Sequence, residues 1–316
     1  MKKKVLLFCD PGIDDSLAII YALLHPDIEL VGLVTSYGNV SREQTTANAA
    51  YLLSLVGRED IPVIRGAYRP FSGESNVYYP EIHGENGMGP IQLPKSFLQA
   101  PTFSMGKVID IMDEHKNELI MVDVGRSTTL AIVCNIGEER MEQIQGYYIM
   151  GGAFFVPGNV TPVAEANFYG DPVASNYIMM HAKNVTLCPL NVTKDALITE
   201  TIIEEVAAVS QNPFRKLIKD IFMYYYQAYQ KLIPKITGTP LHDVLTVMVV
   251  ANPELLQYVY RPVSVATEGV SRGESIADFR ALPHTNGNWV KIGWELNQNL
   301  FVERFKQIMI SAVAIN

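Results

Sequence analysis

Val5-Leu6-Leu7-Phe8-Cys9-Asp10-Pro11-Gly12-Ile13-Asp14-Asp15 is the stretch that decides the fold of this chain. An apolar run of strand length feeds into an acidic Pro-Gly turn, and Leu17, Ala18, Ile20, Tyr21 and Leu24 follow at helical spacing. Strand, turn and helix in that order open an α/β sheet, where ligands lie outside the carboxyl ends of the strands. Asp10, Asp14 and Asp15 fall at such an end. Like charges so close raise one another's pKa unless a proton or a cation intervenes. Their hard oxygens suit Ca²⁺ or Mg²⁺ better than Zn²⁺. Each acid also has an ordinary use: Asp14 or Asp15 can cap the helix, and Asp10 can shape the turn. Three acids exceed what one cap needs, so the cluster points to metal binding or catalysis.

The chain has 316 residues, 48% apolar and 18% charged, which is enough to bury a large core and shows no sign of disorder. A net charge of −8 argues against nucleic acid or an anionic membrane as the main partner. Cys9, Cys134 and Cys188 are odd in number, far apart and set in apolar stretches, as expected of reduced core thiols in a cytoplasmic protein. Lys2-Lys3-Lys4 before Val5–Cys9 imitates a secretory signal, but its apolar run is shorter than the roughly 7–15 residues a signal needs. No segment approaches the roughly 20 apolar residues of a membrane span.

Outward from the first unit, strand and helix patterns alternate. Strands are expected at Val5–Cys9, Ile28–Thr35, Pro62–Arg65, Leu119–Val124, Ile144–Met150 and Val185–Cys188. Helices are expected at Asp14–Leu24, Ser41–Leu55 with Ser41 as cap, Phe103–His115, Ser127–Asn135, Pro172–His181, Thr199–Val209, Pro213–Ile233 and His242–Ala251. Val259–Ala266 and Ser275–Phe279 read as a late β-hairpin, Trp289–Glu295 as a strand and Asn299–Ile310 as a closing helix. Near-continuous apolar strands between helices imply one α/β domain over 1–316, a mostly parallel sheet with helices on both faces. Residues 68–100, rich in Pro, Gly and Tyr, are long for a structureless connection and are expected to form a lid or binding loop that carries His83.

The turn Asp10-Pro11-Gly12-Ile13-Asp14-Asp15 with Ala18-Ile19 resembles the N-terminal signature of the inosine–uridine-preferring nucleoside hydrolases. Four further segments match that family in order. They are Val34-Thr35-Ser36-Tyr37-Gly38-Asn39, Gly125-Arg126-Ser127-Thr128-Thr129, the run from Met150-Gly151-Gly152-Ala153 through Gly158-Asn159 to Glu165-Ala166-Asn167, and Leu241-His242-Asp243. Taken alone, Asn39 also reads as a turn former and His242-Asp243 as a helix start. The resemblance covers essentially the whole chain and implies a Rossmann-like nucleoside hydrolase fold and a homodimer or homotetramer.

The activity it implies is hydrolysis of a ribonucleoside to ribose and free base, with Ca²⁺ held by Asp10, Asp15, Asp243 and the Thr128 carbonyl. By the same resemblance, Asp10 is general base, Asp14 accepts from a ribose hydroxyl, and Asn39 aligns the water or metal shell. Asn159, Glu165 and Asn167 grip the ribose, His242 assists the leaving base, and His83 lines the base pocket. The helix face of Tyr224, Tyr225, Tyr226 and Tyr229 can contribute there. The departures are Phe8-Cys9 for the family's Asp-Thr, Arg126-Ser127 for Pro-Leu, Thr129 for Asn, and Asn86 where Asp is common. They leave a non-catalytic nucleoside or ribose binder on the same scaffold as the alternative. A phosphatase with an aspartyl nucleophile requires a second Asp two positions after the first, and Gly12 stands there.

Overall fold

The apolar runs of the first two thirds become parallel strands in the computed structural model, which describes residues 2–283 and 288–312. They are β1 Lys3–Cys9, β2 Ile28–Thr35, β3 Val63–Arg65, β4 Leu119–Asp123, β5 Gly146–Met150 and β6 Val185–Cys188. The late part of the chain adds β7 Leu256–Val265, β8 Ser275–Ala277 and β9 Trp289–Leu296. Among the described residues these form one sheet in the order β8-β7-β9-β6-β5-β4-β1-β2-β3. β9 pairs parallel with β6, and β7 runs antiparallel to both β8 and β9, which is the expected hairpin at the sheet's edge.

Side-chain alternation along β1 shows why both faces are covered. Val5, Leu7 and Cys9 enter one core with the helices Ile13–Leu24, Arg215–Leu232, His242–Ala251 and Gln298–Met309. Leu6 and Phe8 enter the other with Gly106–Glu114, Thr128–Ile136 and Pro172–His181. Strands buried on both faces read as unbroken apolar runs, as these do. From β1 the chain moves to β2 and β3 on one side, then returns to β4, β5 and β6 on the other. The boundary between β1 and β4 is therefore the topological switch point, where α/β sheets open a ligand crevice.

Some expectations shift. The helix expected from Phe103 begins at Gly106, because Phe103 pairs with Ile64 and gives the short edge strand β3 a partner. Residues 68–100 contain a short helix at Pro80–His83 and a 3₁₀ turn at Lys95–Gln99. The helix Ala166–Gly170 and the ribbon of Leu197–Ile198 with Thr239–Pro240 are too short for periodicity to reveal. All three cysteines are free and buried. Among the described residues no helix is long and apolar enough to cross a membrane.

Ser41 is the N-cap of the helix Arg42–Ser54, its hydroxyl accepting from Gln44 N at 3.3 Å. Ser41→Ala is expected to destabilise the fold by about 1 kcal/mol. The check is denaturant unfolding, with a lower midpoint and an unchanged slope.

Candidate active site

β1 stops at Cys9, and the first helix starts three residues after Asp10 at Ile13. Asp15 folds back from that helix, accepting from Asp10 N at 2.9 Å and Gly12 N at 3.1 Å. It therefore does cap the helix, as one of its ordinary readings held. Asn39, just beyond the end of the adjacent β2, joins it. Asn39 Nδ2 donates to Asp15 Oδ2 at 2.8 Å and Asn39 N to Asp10 Oδ2 at 2.6 Å. The approach leaves no room for side chains at two glycines. A Cβ on Gly38 would lie 1.8 Å from Asp10 Oδ2, and one on Gly12 would lie 2.6 Å from both Asn39 Nδ2 and His83 Nδ1.

Asp243 comes from the far end of the chain, at the start of a helix packed on the first one. Oxygens of Asp14, Asp15 and Asp243 lie within 4.8 Å of one another, and all three residues are buried. Burial, then the Asp15 charge, pushes the Asp14 carboxyl up to about 7. Burial and then Asp15 also raise Asp10 well above the carboxylate range, against the opposing pull of Arg126 and the Asn39 N–H. Asp243 is raised by burial and then by Asp14, Asp15 and Asp10. Asp15 and Asp243 bring oxygens within 4.8 Å of each other, so a proton or a cation must stand between their charges. An all-oxygen, buried, mutually repelling donor set fits a hard divalent cation.

The arrangement differs in part from the set implied by resemblance. Asp15 and Asp243 converge as expected, but the third member is Asp14, while Asp10 stands beside them tied to Asn39. The Thr128 side chain bonds outside the acid cluster. Its hydroxyl bridges Tyr37 at 2.9 Å and Asp171 at 2.6 Å, and as first residue of its helix it turns its carbonyl into the helical ladder. The free strand-end carbonyl at β4 is that of Val124, which accepts from Asn167 Nδ2 at 2.9 Å.

Two histidines and two tyrosines form the opposite wall. His83 Nδ1 accepts from Ile13 N at 3.0 Å, so the ring proton of the neutral imidazole sits on Nε2. His242 is held at both nitrogens, by Thr193 Oγ1 at 2.8 Å and Tyr229 OH at 3.1 Å. Burial lowers His83 to about 3, helped by His242, and His242 to about 4. Both are therefore neutral at neutral pH. Of the four tyrosines in Arg215–Leu232, Tyr225 and Tyr229 face the site one helical turn apart, with ring centroids 4.9 Å apart. Burial and then the Asp14 charge raise the Tyr225 hydroxyl, and its ring lies 5.4 Å from that of His83. Tyr224 packs against Gly89, and Tyr226 stacks on Phe222.

The ribose-binding candidates divide. The Glu165 carboxylate accepts from Gly152 N, Asn167 N and Phe168 N at 2.9–3.2 Å, and burial raises it to about 7 against those donors. It holds the loop after β5 to the short helix Ala166–Gly170. Asn167 spans the ends of β4 and β5 through Val124 O and Met150 O. Asn159 is exposed and accepts from Ala166 N at 2.9 Å, which shapes its loop.

Three contributors escaped sequence reasoning. Asn48 Nδ2 ties Pro11 O to Asn86 O at 2.8 Å each, and Asp171 joins Thr128, Phe71 N and Ala174 N. Neither lies in a motif. Thr193, behind His242, lies in a four-residue helix that no periodicity marks.

Comparison with known proteins agrees with this geometry. A family profile described as inosine-uridine preferring nucleoside hydrolase matches residues 5–303. Uridine nucleosidase 1 of Arabidopsis thaliana is 32% identical over 291 residues, covering 91% of this chain and 86% of that protein. The pyrimidine-specific ribonucleoside hydrolase RihA of Photobacterium profundum is 34% identical over 310 residues, covering 96% and 97%. Among solved structures, the plant nucleoside hydrolase PpNRh1 superposes with a TM-score of 0.89 at 29% identity over 98% of this chain and 99% of that one. A purine-preferring ribonucleoside hydrolase from Gardnerella vaginalis gives 0.88 at 30% identity over 97% and 98%. The chain belongs to the inosine-uridine preferring nucleoside hydrolase family and is, with it, an N-glycosyl hydrolase.

Proposed function

We propose that this chain cleaves pyrimidine ribonucleosides, uridine foremost, to ribose and free base, using Ca²⁺ at the buried acids. The observation that carries this reading is the convergence of the Asp14, Asp15 and Asp243 oxygens, with Asp10 alongside, opposite the Tyr229–His242 pair. The pyrimidine preference is supported by the names of the relatives from Arabidopsis thaliana and Photobacterium profundum. The acidic charge and buried thiols fit a cytoplasmic salvage enzyme without nucleic-acid or membrane partners. The homo-oligomeric state follows the family resemblance.

Asp14, Asp15 and Asp243, whose oxygens converge, and Asp10 beside them would hold the cation. When bound, it supplies Lewis acidity toward the attacking water and neutralises the carboxylates. Asp10 takes the proton of that water, and Asn39, bonded to both Asp10 and Asp15, keeps the acceptor aligned. Glycosidic cleavage builds an oxocarbenium-like sugar, and carboxylates beneath it stabilise that charge. Asp14 and Asn167 take the ribose hydroxyls, with Glu165 holding Asn167 in place. Burial keeps His242 neutral, so it assists through Tyr229, whose hydroxyl donates to the departing base.

Three outcomes test this reading. Carboxyls raised in the folded state contribute stability below their unfolded pKa, near 4, and lose it as pH rises through the folded value, about 7 for Asp14. Chelated protein should therefore melt at lower temperature as pH climbs from about 5 to about 8, whereas Ca²⁺ should remove that decline because the ion binds only the folded, deprotonated site. A chelated protein with a flat profile and full turnover contradicts the metal assignment. His242→Ala and Tyr229→Phe should slow uridine by about 10²–10⁴-fold and spare p-nitrophenyl riboside, whose leaving group needs no help; equal loss on both substrates removes the pair from leaving-group activation. Finally, 2′-deoxyuridine should react orders of magnitude more slowly than uridine, because buried groups built for a hydroxyl are left unpaired. Equal rates would rule out hydroxyl recognition by Asp14 and Asn167.

A further inference from the structure

Arg126 follows β4 where the family pattern carries proline, and its side chain is buried, the residue being 4% exposed. Its hydrogen bonds run to backbone carbonyls: Nη2 donates to Val77 O at 2.6 Å and to Gly38 O at 3.4 Å. The guanidinium lies 4.9 Å over the Tyr37 ring, and its stem fills the space beside Gly170. A buried cation is expensive unless its donors are met. Here Nη2 is met by Val77, in the segment that crosses the strand ends, and by Gly38.

That segment, residues 70–79, is fastened to the loops that follow β4 and β2. Arg126 takes Val77, and Asn39 O accepts from Tyr79 N at 3.0 Å. The same Asn39 holds Asp10 and Asp15, and the chain leaving Tyr79 enters Pro80–His83, which delivers His83 to Ile13 N. Farther out, Phe71 N donates to Asp171, and exposed Glu74 pairs with Arg272 at 2.8 Å. Without Arg126, the Val77 and Gly38 carbonyls lose this donor at the point where the segment meets β2 and β4.

We propose that Arg126 is a positioning residue, a latch that fixes residues 70–79 across the strand ends and so holds Asn39 and His83 in register with the acids. The kinetic part rests on the nucleoside hydrolase reading, and the structural part does not. The test compares wild type, Arg126→Ala, Arg126→Lys and Glu74→Gln by peptide-resolved hydrogen exchange on the full chain and by uridine kinetics with Ca²⁺.

In Arg126→Ala, amides of residues 70–83 should exchange about tenfold faster or more, the loss of a charge-assisted hydrogen bond, while β1, β4 and His242–Ala251 keep their protection. The turnover number should fall about 10- to 100-fold, with KM changing less. Millimolar methylguanidinium should restore both. Arg126→Lys should be intermediate, and it covers the case in which the alanine variant does not fold. Glu74→Gln should leave turnover unchanged. Unchanged exchange over 70–83, protection lost evenly through the chain, or a loosened segment with normal turnover each overturns the latch. Absence of wild-type turnover on any nucleoside would sink the functional reading alone, since the exchange pattern still decides the structural one.

Discussion

The Asp15 carboxylate accepts from Asp10 N, Gly12 N and Asn39 Nδ2, and through these three donors it joins the end of β1, the start of the first helix and the end of β2. A charge with so many donors is held in place more firmly than any neighbour. Asp10, Asp14 and Asp243 are then positioned around it and feel its field. Removing that carboxylate would leave backbone donors of the turn buried without partners, so the geometry of the acidic turn and the fold of the first strand–helix unit are one problem. The same crowding explains why Gly12 and Gly38 admit no Cβ.

Burial acts on the two walls of the site in opposite senses and reaches the same result. It raises the acids toward neutrality and lowers both histidines, so without a cation the site favours few net charges. The chemistry must restore negative charge on one wall while keeping the other neutral. A divalent ion does the first. The second suits a leaving base that receives a hydrogen bond from a tyrosine hydroxyl backed by an imidazole, rather than a proton from an imidazolium. The i, i+4 spacing of Tyr225 and Tyr229 makes that wall continuous from His83 to His242 and Thr193.

Residues 68–100 show how an irregular segment becomes ordered without a ladder of its own. Its backbone groups are taken one at a time by Asn39, Asn48, Arg126 and Asp171, all projecting from regular elements or their ends. Each of these side chains also touches the site or its supporting turns. The loop's conformation is thereby coupled to that of the acids, and the substitution of Arg126 for the family's proline adds a charged member to that set.

The sequence by itself determined what depends on neighbours along the chain. The alternation of Val5 through Cys9, the Asp-Pro-Gly turn and the Ser41 cap specify strand, turn and helix through short-range sterics and hydrogen bonds, and β2, His242–Ala251 and Pro172–His181 fall on their expected residues. The acid cluster was legible for the same reason, because three of its four members lie within one turn. Tertiary structure alone decided which oxygens meet. It brought Asp243 to Asp15, and placed Asp14 rather than Asp10 in the converging triad. It also set Asn159 out in solvent. Those outcomes depend on helix packing and strand order, which bring together residues far apart in the chain, and no local pattern encodes the direction in which a side chain or carbonyl points once the elements have docked.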